Sequence, residues 1–175
     1  GSISFEGADR IISYISANRL QLEWILETHV HADHLSAAPY IQQKCGGKIG
    51  IGEHIKTVQE TFGKVFNEGT DFERDGSQFD RLFTEGDTYT IGSLNAEVMH
   101  TPGHTPACLT YVINGSAFVG DTLFMPDFGT ARCDFLQYEI FHQLGDFLSH
   151  YVQNGQAHLL FGSQMIADGR SCGKG

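Results

Sequence analysis

Thr28-His29-Val30-His31-Ala32-Asp33-His34 puts three imidazoles and a carboxylate into one short stretch, directly after the apolar run Glu23-Trp24-Ile25-Leu26-Glu27. The branched and aromatic residues of that run predict a short strand entering a core. The histidines therefore fall where a strand ends and its loop can fold back, aiming several side chains at one point. Neutral imidazole ligates zinc, iron and related ions, and a carboxylate adds the negative charge that holds a divalent cation. The competing reading is a polar turn of solvated histidines, and the recurrence of further ligand types downstream argues against it.

Two later segments extend the pattern. In Met99-His100-Thr101-Pro102-Gly103-His104-Thr105-Pro106, two prolines and a glycine bracket His104 in a rigid turn after the strand-like stretch Leu94 to Met99. His104 is the expected ligand, and His100 is expected at the strand end. In Ala117-Phe118-Val119-Gly120-Asp121-Thr122-Leu123 a carboxylate follows an apolar run, where burial without a partner would be costly and a cation would remove the cost. Taken alone, Asp121 reads equally well as a turn or capping aspartate; taken with His29, His31, Asp33, His34 and His104 it reads as a metal ligand.

The order His-x-His-x-Asp-His, Pro-Gly-His-Thr-Pro, Gly-Asp-Thr-Leu resembles the metallo-β-lactamase-fold superfamily. Within it, Leu26-Glu27-Thr28-His29-Val30-His31-Ala32-Asp33-His34-Leu35-Ser36-Ala37-Ala38 and Pro126-Asp127-Phe128-Gly129-Thr130-Ala131-Arg132-Cys133-Asp134-Phe135 are similar to the bacterial persulfide dioxygenase (sulfur dioxygenase) branch, related to hydroxyacylglutathione hydrolase. The resemblance runs from about Phe5 to Phe135. It implies an α/β fold, the αββα sandwich, with metal at strand-end loops between two sheets. It further implies oxidation of glutathione persulfide by O2 to sulfite and glutathione at one Fe(II) per chain. The implied iron ligands are His29, His104 and Asp121, which also carry the catalysis. Two histidines and one carboxylate are the set that leaves an iron open to substrate and O2. Asp33 and His34 match second-metal ligands of hydrolase relatives and, with His31, are expected to stand behind the iron ligands and orient them. Arg132 matches an arginine near the glutathione carboxylates, a suitable partner for a guanidinium fork; a surface ion pair is the competing role.

Both ends depart from the pattern. The resemblance implies a strand hairpin ahead of the helix that begins near Ala8, whereas the sequence opens Gly1-Ser2; the expectation is a fold incomplete at its N-terminus, one sheet short with an uncovered edge. After Phe135 the family's Pro-Gly-Gly turn is replaced by Leu136-Gln137-Tyr138-Glu139, and Ser163-Gln164-Met165 stands where a His-Asp-Tyr motif would. Helical spacing persists through Ile140, Leu144, Phe147, Leu148 and Tyr151, and His158-Leu159-Leu160-Phe161 reads as a short strand. A dinuclear hydrolase needs the missing histidine and a mononuclear iron site does not. The departure therefore tells more against the first alternative, a dinuclear Zn(II) thioesterase resembling hydroxyacylglutathione hydrolase; the second alternative is an inactive metal-binding remnant.

Global properties agree with one small domain spanning 1–175, with 136–175 as its divergent segment. The 175 residues include 41% hydrophobic ones, enough for a core, with no run long enough to span a membrane. A net charge of −10 argues against nucleic acid as a partner. The expected partner is a small thiol, and a homodimer is compatible with the sequence. Cys45, Cys108, Cys133 and Cys172 form no close pair or zinc-knuckle spacing, which fits a reducing cytoplasm. Cys133 lies beside Arg132, which favours its thiolate; a small loop residue is the competing role.

The remaining pattern predicts a first helix through Ile11, Ile12, Ile15 and Leu20, and a second from Ser36 to Cys45 with Ser36 as N-cap and Gly46-Gly47 ending it. A third helical face runs through Ile55, Val58, Phe62, Val65 and Phe66. Strands are expected at Lys48 to Gly52, Thr88 to Ile91, Leu94 to Met99, Cys108 to Ile113 and Ala117 to Val119, with a polar loop from Asn67 to Asp80 beside the site.

Overall fold

The computed structural model describes residues 3–30, 35–65, 73–122 and 158–160. Helix α1 (Glu6–Ala17) is followed by β1 (Trp24–Leu26), α2 (Ala38–Cys45), β2 (Lys48–Gly52) and α3 (Ile55–Val65). Strands β3 (Arg81–Phe83), β4 (Thr88–Ile91), β5 (Leu94–His100), β6 (Leu109–Ile113), β7 (Ser116–Phe118) and β8 (His158–Leu160) complete the described elements.

Two sheets result. The first is parallel, in the order β1-β2-β3; the second has the order β4-β5-β6-β7-β8, antiparallel except for the β7–β8 pair. Short connections explain the difference: hairpins join the antiparallel strands, while β1, β2 and β3 are separated by α2 and α3, as parallel neighbours require. In β2, Ile51 packs on α3 against Ile55 and Val58. Gly50 and Gly52, which alternate with the isoleucines, face the other way, and a side chain at Gly52 would meet Leu109 of the second sheet at 2.9 Å. Glycine at that position is what allows the sheets to approach.

The central core lies between the sheets. Phe83, Tyr89, Ala96, Val98, Leu109 and Tyr111 form it, with Trp24 and Leu26 packed against it. Phe83 meets Tyr89 at 4.9 Å and Tyr111 at 5.8 Å between ring centroids, the offset arrangements aromatic rings prefer. On the outer side of the first sheet, α1 meets α2 through the stacked rings of Phe5 and Tyr40, and Tyr40 donates to Asp9 Oδ1 at 2.7 Å. The order is thus helix layer, parallel sheet, mixed sheet, the α/β fold expected. The helical spacing at 140–151 lies outside the described residues.

Element boundaries moved for identifiable reasons. Helix α1 ends before Leu20, because Asn18 caps the Tyr14 carbonyl at 2.8 Å and Arg19 takes φ 53, turning the chain out of the helix. Helix α2 begins at Ala38 rather than Ser36, with Ala37 in the N-cap position. The Ser36 hydroxyl still accepts the Ala38 N–H at 3.0 Å, satisfying one of the unpaired donors of the first turn. Strand β6 begins one residue after Cys108, and β7 one residue before Ala117. The described part of the polar loop is tied to α3, where Gln59 accepts the Gly76 N–H at 3.1 Å and donates to Gln78 at 2.9 Å.

Candidate metal centre

His29, His104 and Asp121 come from three separate segments and meet at one point. His29 lies just beyond β1, where the chain is stitched to both sheets: Glu27 N–H donates to the Gly50 carbonyl and Leu109 N–H to the Thr28 carbonyl, each at 2.9 Å. His104 sits in the turn between β5 and β6. There Thr101 N–H reaches the Cys108 carbonyl at 2.9 Å, Gly103 N–H the Thr105 carbonyl at 3.1 Å, and His100 Nε2 lies 2.9 Å from the Pro106 carbonyl. The two prolines restrict φ on either side of His104. Asp121 occupies a 3-10 turn, Gly120–Thr122, one residue beyond the end of β7.

Asp121 Oδ2 lies 3.6 Å from His29 Nε2 and 3.5 Å from His104 Nε2. The imidazole rings meet edge-on at 5.0 Å, and one donor atom from each of the three residues falls within 4.8 Å of the others. Ligand atoms that share an ion at ordinary zinc or iron bond lengths stand about 3 to 3.5 Å apart, and both carboxylate–imidazole separations lie close to the upper end of that range. The three side chains are only 10, 12 and 14% exposed, enough to be reached from solvent while remaining largely desolvated.

A buried hydroxyl cluster locks the turns together. Thr101 Oγ1 lies 2.9 Å from Thr110 Oγ1 and 3.5 Å from Thr122 Oγ1, and Thr122 Oγ1 donates to the Thr101 carbonyl at 3.4 Å. This joins the base of the His104 turn, strand β6 and the Asp121 turn. Glu27, two residues before His29, accepts a hydrogen bond from the Ser36 hydroxyl. Burial pushes the Glu27 carboxyl above its ordinary range, and the Ser36 hydroxyl partly offsets this. Burial likewise pushes the Cys108 thiol up, keeping it protonated; its sulfur accepts the Thr105 N–H at 3.2 Å.

Three of the residues expected from the sequence are therefore brought together. His100 ends β5 and stacks on His54 at 4.3 Å, consistent with a place on the strand rather than in the ligand set. His31, Asp33, His34 and Arg132 lie outside the described residues, as does Cys133. Sequence reasoning gave no role to Thr28, Gly120 or the three buried threonines. Adjacency to His29 and Asp121 was the available signal for the first two.

The profile of the metallo-β-lactamase superfamily matches residues 3–154. The chain belongs to that superfamily, a class of metal-dependent proteins to which the His/Asp cluster conforms. It is 57% identical over 138 residues to a probable metallo-hydrolase of Burkholderia pseudomallei, covering 73% of this chain and 47% of that protein. It is also 57% identical over 137 residues to glyoxylase B2 of Dictyostelium discoideum, covering 77% and 47%. Similarity to the mitochondrial persulfide dioxygenase ETHE1 of Mus musculus is more distant, 31% over 134 residues, covering 75% and 44%. The chain spans about half the length of these relatives. Among solved structures, ETHE1 from Myxococcus xanthus superposes with a TM-score of 0.58 at 22% identity, over 95% of this chain and 64% of that one. That likeness concerns the fold.

Proposed function

We propose that the chain forms the metal-binding part of a mononuclear non-haem iron persulfide dioxygenase, converting glutathione persulfide, O2 and water to glutathione and sulfite. The observation that carries the reading is the convergence of His29, His104 and Asp121, a two-histidine, one-carboxylate set. Such a set is characteristic of oxygen-activating iron. Bound Fe(II) supplies the redox chemistry that ground-state O2 requires. Asp121 contributes negative charge from one side, and the two imidazoles supply neutral donors held by turns that leave them little freedom. The protein's share is thus largely positioning, which brings substrate and oxidant into one geometry. Arg132 is assigned to a glutathione carboxylate. A reducing, cytoplasmic setting and a small thiol partner accompany this reading, and the net charge of −10 bears only on nucleic acid, against which it argues.

The names of the relatives at 57% identity, a probable metallo-hydrolase and a glyoxylase, favour a hydrolase, and the second reading is accordingly a zinc-dependent thioesterase resembling hydroxyacylglutathione hydrolase. It would recruit His31, Asp33 and His34 as further ligands. The test is oxygen uptake by anaerobically Fe(II)-loaded protein on addition of glutathione persulfide, with sulfite followed in parallel. Iron-dependent uptake matched by sulfite is the expected result. No uptake from folded, iron-loaded protein, together with thioester cleavage by the zinc-loaded form, would replace the dioxygenase with the hydrolase.

A further inference from the structure

We infer that Thr28 is a positioning residue for the metal centre: its hydroxyl accepts the Nδ1–H of His29 and so turns Nε2 toward the point shared with His104 and Asp121. A neutral imidazole carries one proton on two nitrogens, and the nitrogen that ligates must be the bare one. Thr28 Oγ1 lies 3.0 Å from His29 Nδ1, while His29 Nε2 lies 3.6 Å from Asp121 Oδ2. One ring edge faces the hydroxyl and the other faces the carboxylate. With the proton on Nδ1, the hydroxyl is its acceptor and Nε2 presents its lone pair toward the shared point.

Thr28 is itself held by two contacts and by its own branching. Its carbonyl accepts the Leu109 N–H at 2.9 Å, which ties it to the start of β6, where the His104 turn closes. Its side chain presses against Gly120, where an added Cβ would stand 2.4 Å from Thr28 Oγ1 and 2.9 Å from its Cβ. Branching at Cβ limits its rotamers. The residue therefore precedes one ligand, is bonded beside the second and packs against the neighbour of the third. An unbranched or apolar residue would lose either the fixed rotamer or the acceptor.

The inference rests on His29 being a ligand but not on the identity of the metal, so Zn(II) serves as the probe. Zinc affinity is measured by competition with a chromophoric chelator for the wild type, Thr28→Val and Thr28→Ser, and the ring protons of 15N-labelled histidine are followed in the zinc-loaded chain. The wild type is expected to show His29 protonated at Nδ1, with slow exchange of that proton. Thr28→Val should lose about 10- to 100-fold in affinity and the slow exchange, and Thr28→Ser, which keeps the acceptor without the branched Cβ, should recover both in part. Zinc held by Thr28→Val as tightly as by the wild type would overturn the inference and leave the site intact. So would a wild-type His29 proton on Nε2, a readout that does not depend on any variant folding. A folded wild type that binds no zinc would end the site reading and this inference together.

Discussion

Asp121 reaches the two histidines because the residue before it has no side chain. Gly120 takes φ +55 and lies so close to Thr28 that an added Cβ would stand 2.4 Å from its hydroxyl oxygen. Gly120→Ala therefore combines an unfavourable left-handed backbone with a contact that must be relieved by moving either Thr28 or the Asp121 turn. A loss of stability above about 1 kcal/mol is expected, together with weakened metal binding; urea melts and metal stoichiometry on the same preparation check both. The candidate ligands His29, His104 and Asp121 were legible in the sequence because imidazole and carboxylate at strand ends carry their own chemical signature. The need for glycine at 120 was not, since it arises from a contact with a threonine far away in the chain. No local pattern announces that two distant segments will touch.

At the scale of elements, the buried threonines decide how the turns are held relative to one another. Thr101 and Thr110 are 0 and 1% exposed, and their hydroxyls satisfy each other at 2.9 Å. Thr110→Val would leave the Thr101 hydroxyl without its nearest partner, and removing one member of a buried pair costs about 1 to 3 kcal/mol. The expected outcome is a lower urea midpoint for Thr110→Val, largely recovered in Thr110→Ser; an unchanged midpoint would show that the cluster does not hold the turns. Most strands were legible from alternation, as in β2 and β4, whose bounds coincide with the expected ones. Strand β3 was not. Arg81, Leu82 and Phe83 are too few to show a period, and pairing with β2 together with complete burial of Phe83 makes them a strand. Helix ends moved for the same kind of reason, because caps such as Asn18 on Tyr14 are decided by local hydrogen bonding rather than by apolar spacing.

For the molecule as a whole, the candidate centre bridges the two sheets. His29 follows β1 of the parallel sheet, whereas His104 and Asp121 follow β5 and β7 of the mixed sheet. The aromatic core between the sheets fixes their separation, and the bond from Leu109 to Thr28 joins them close to the candidate ligands. Superfamily membership follows from the match over residues 3–154, and the sequence motifs had already pointed there. Among the described residues, no helix is long and apolar enough to cross a membrane. The measurement that tests the central claim most directly is the metal content of purified, folded protein after equilibration with Fe(II) under anaerobic conditions, wild type beside His104→Ala and Asp121→Ala. The account predicts one ion per wild-type chain and loss of that ion from both variants, with their circular dichroism spectra unchanged. Folded variants that retain the wild-type iron would contradict it.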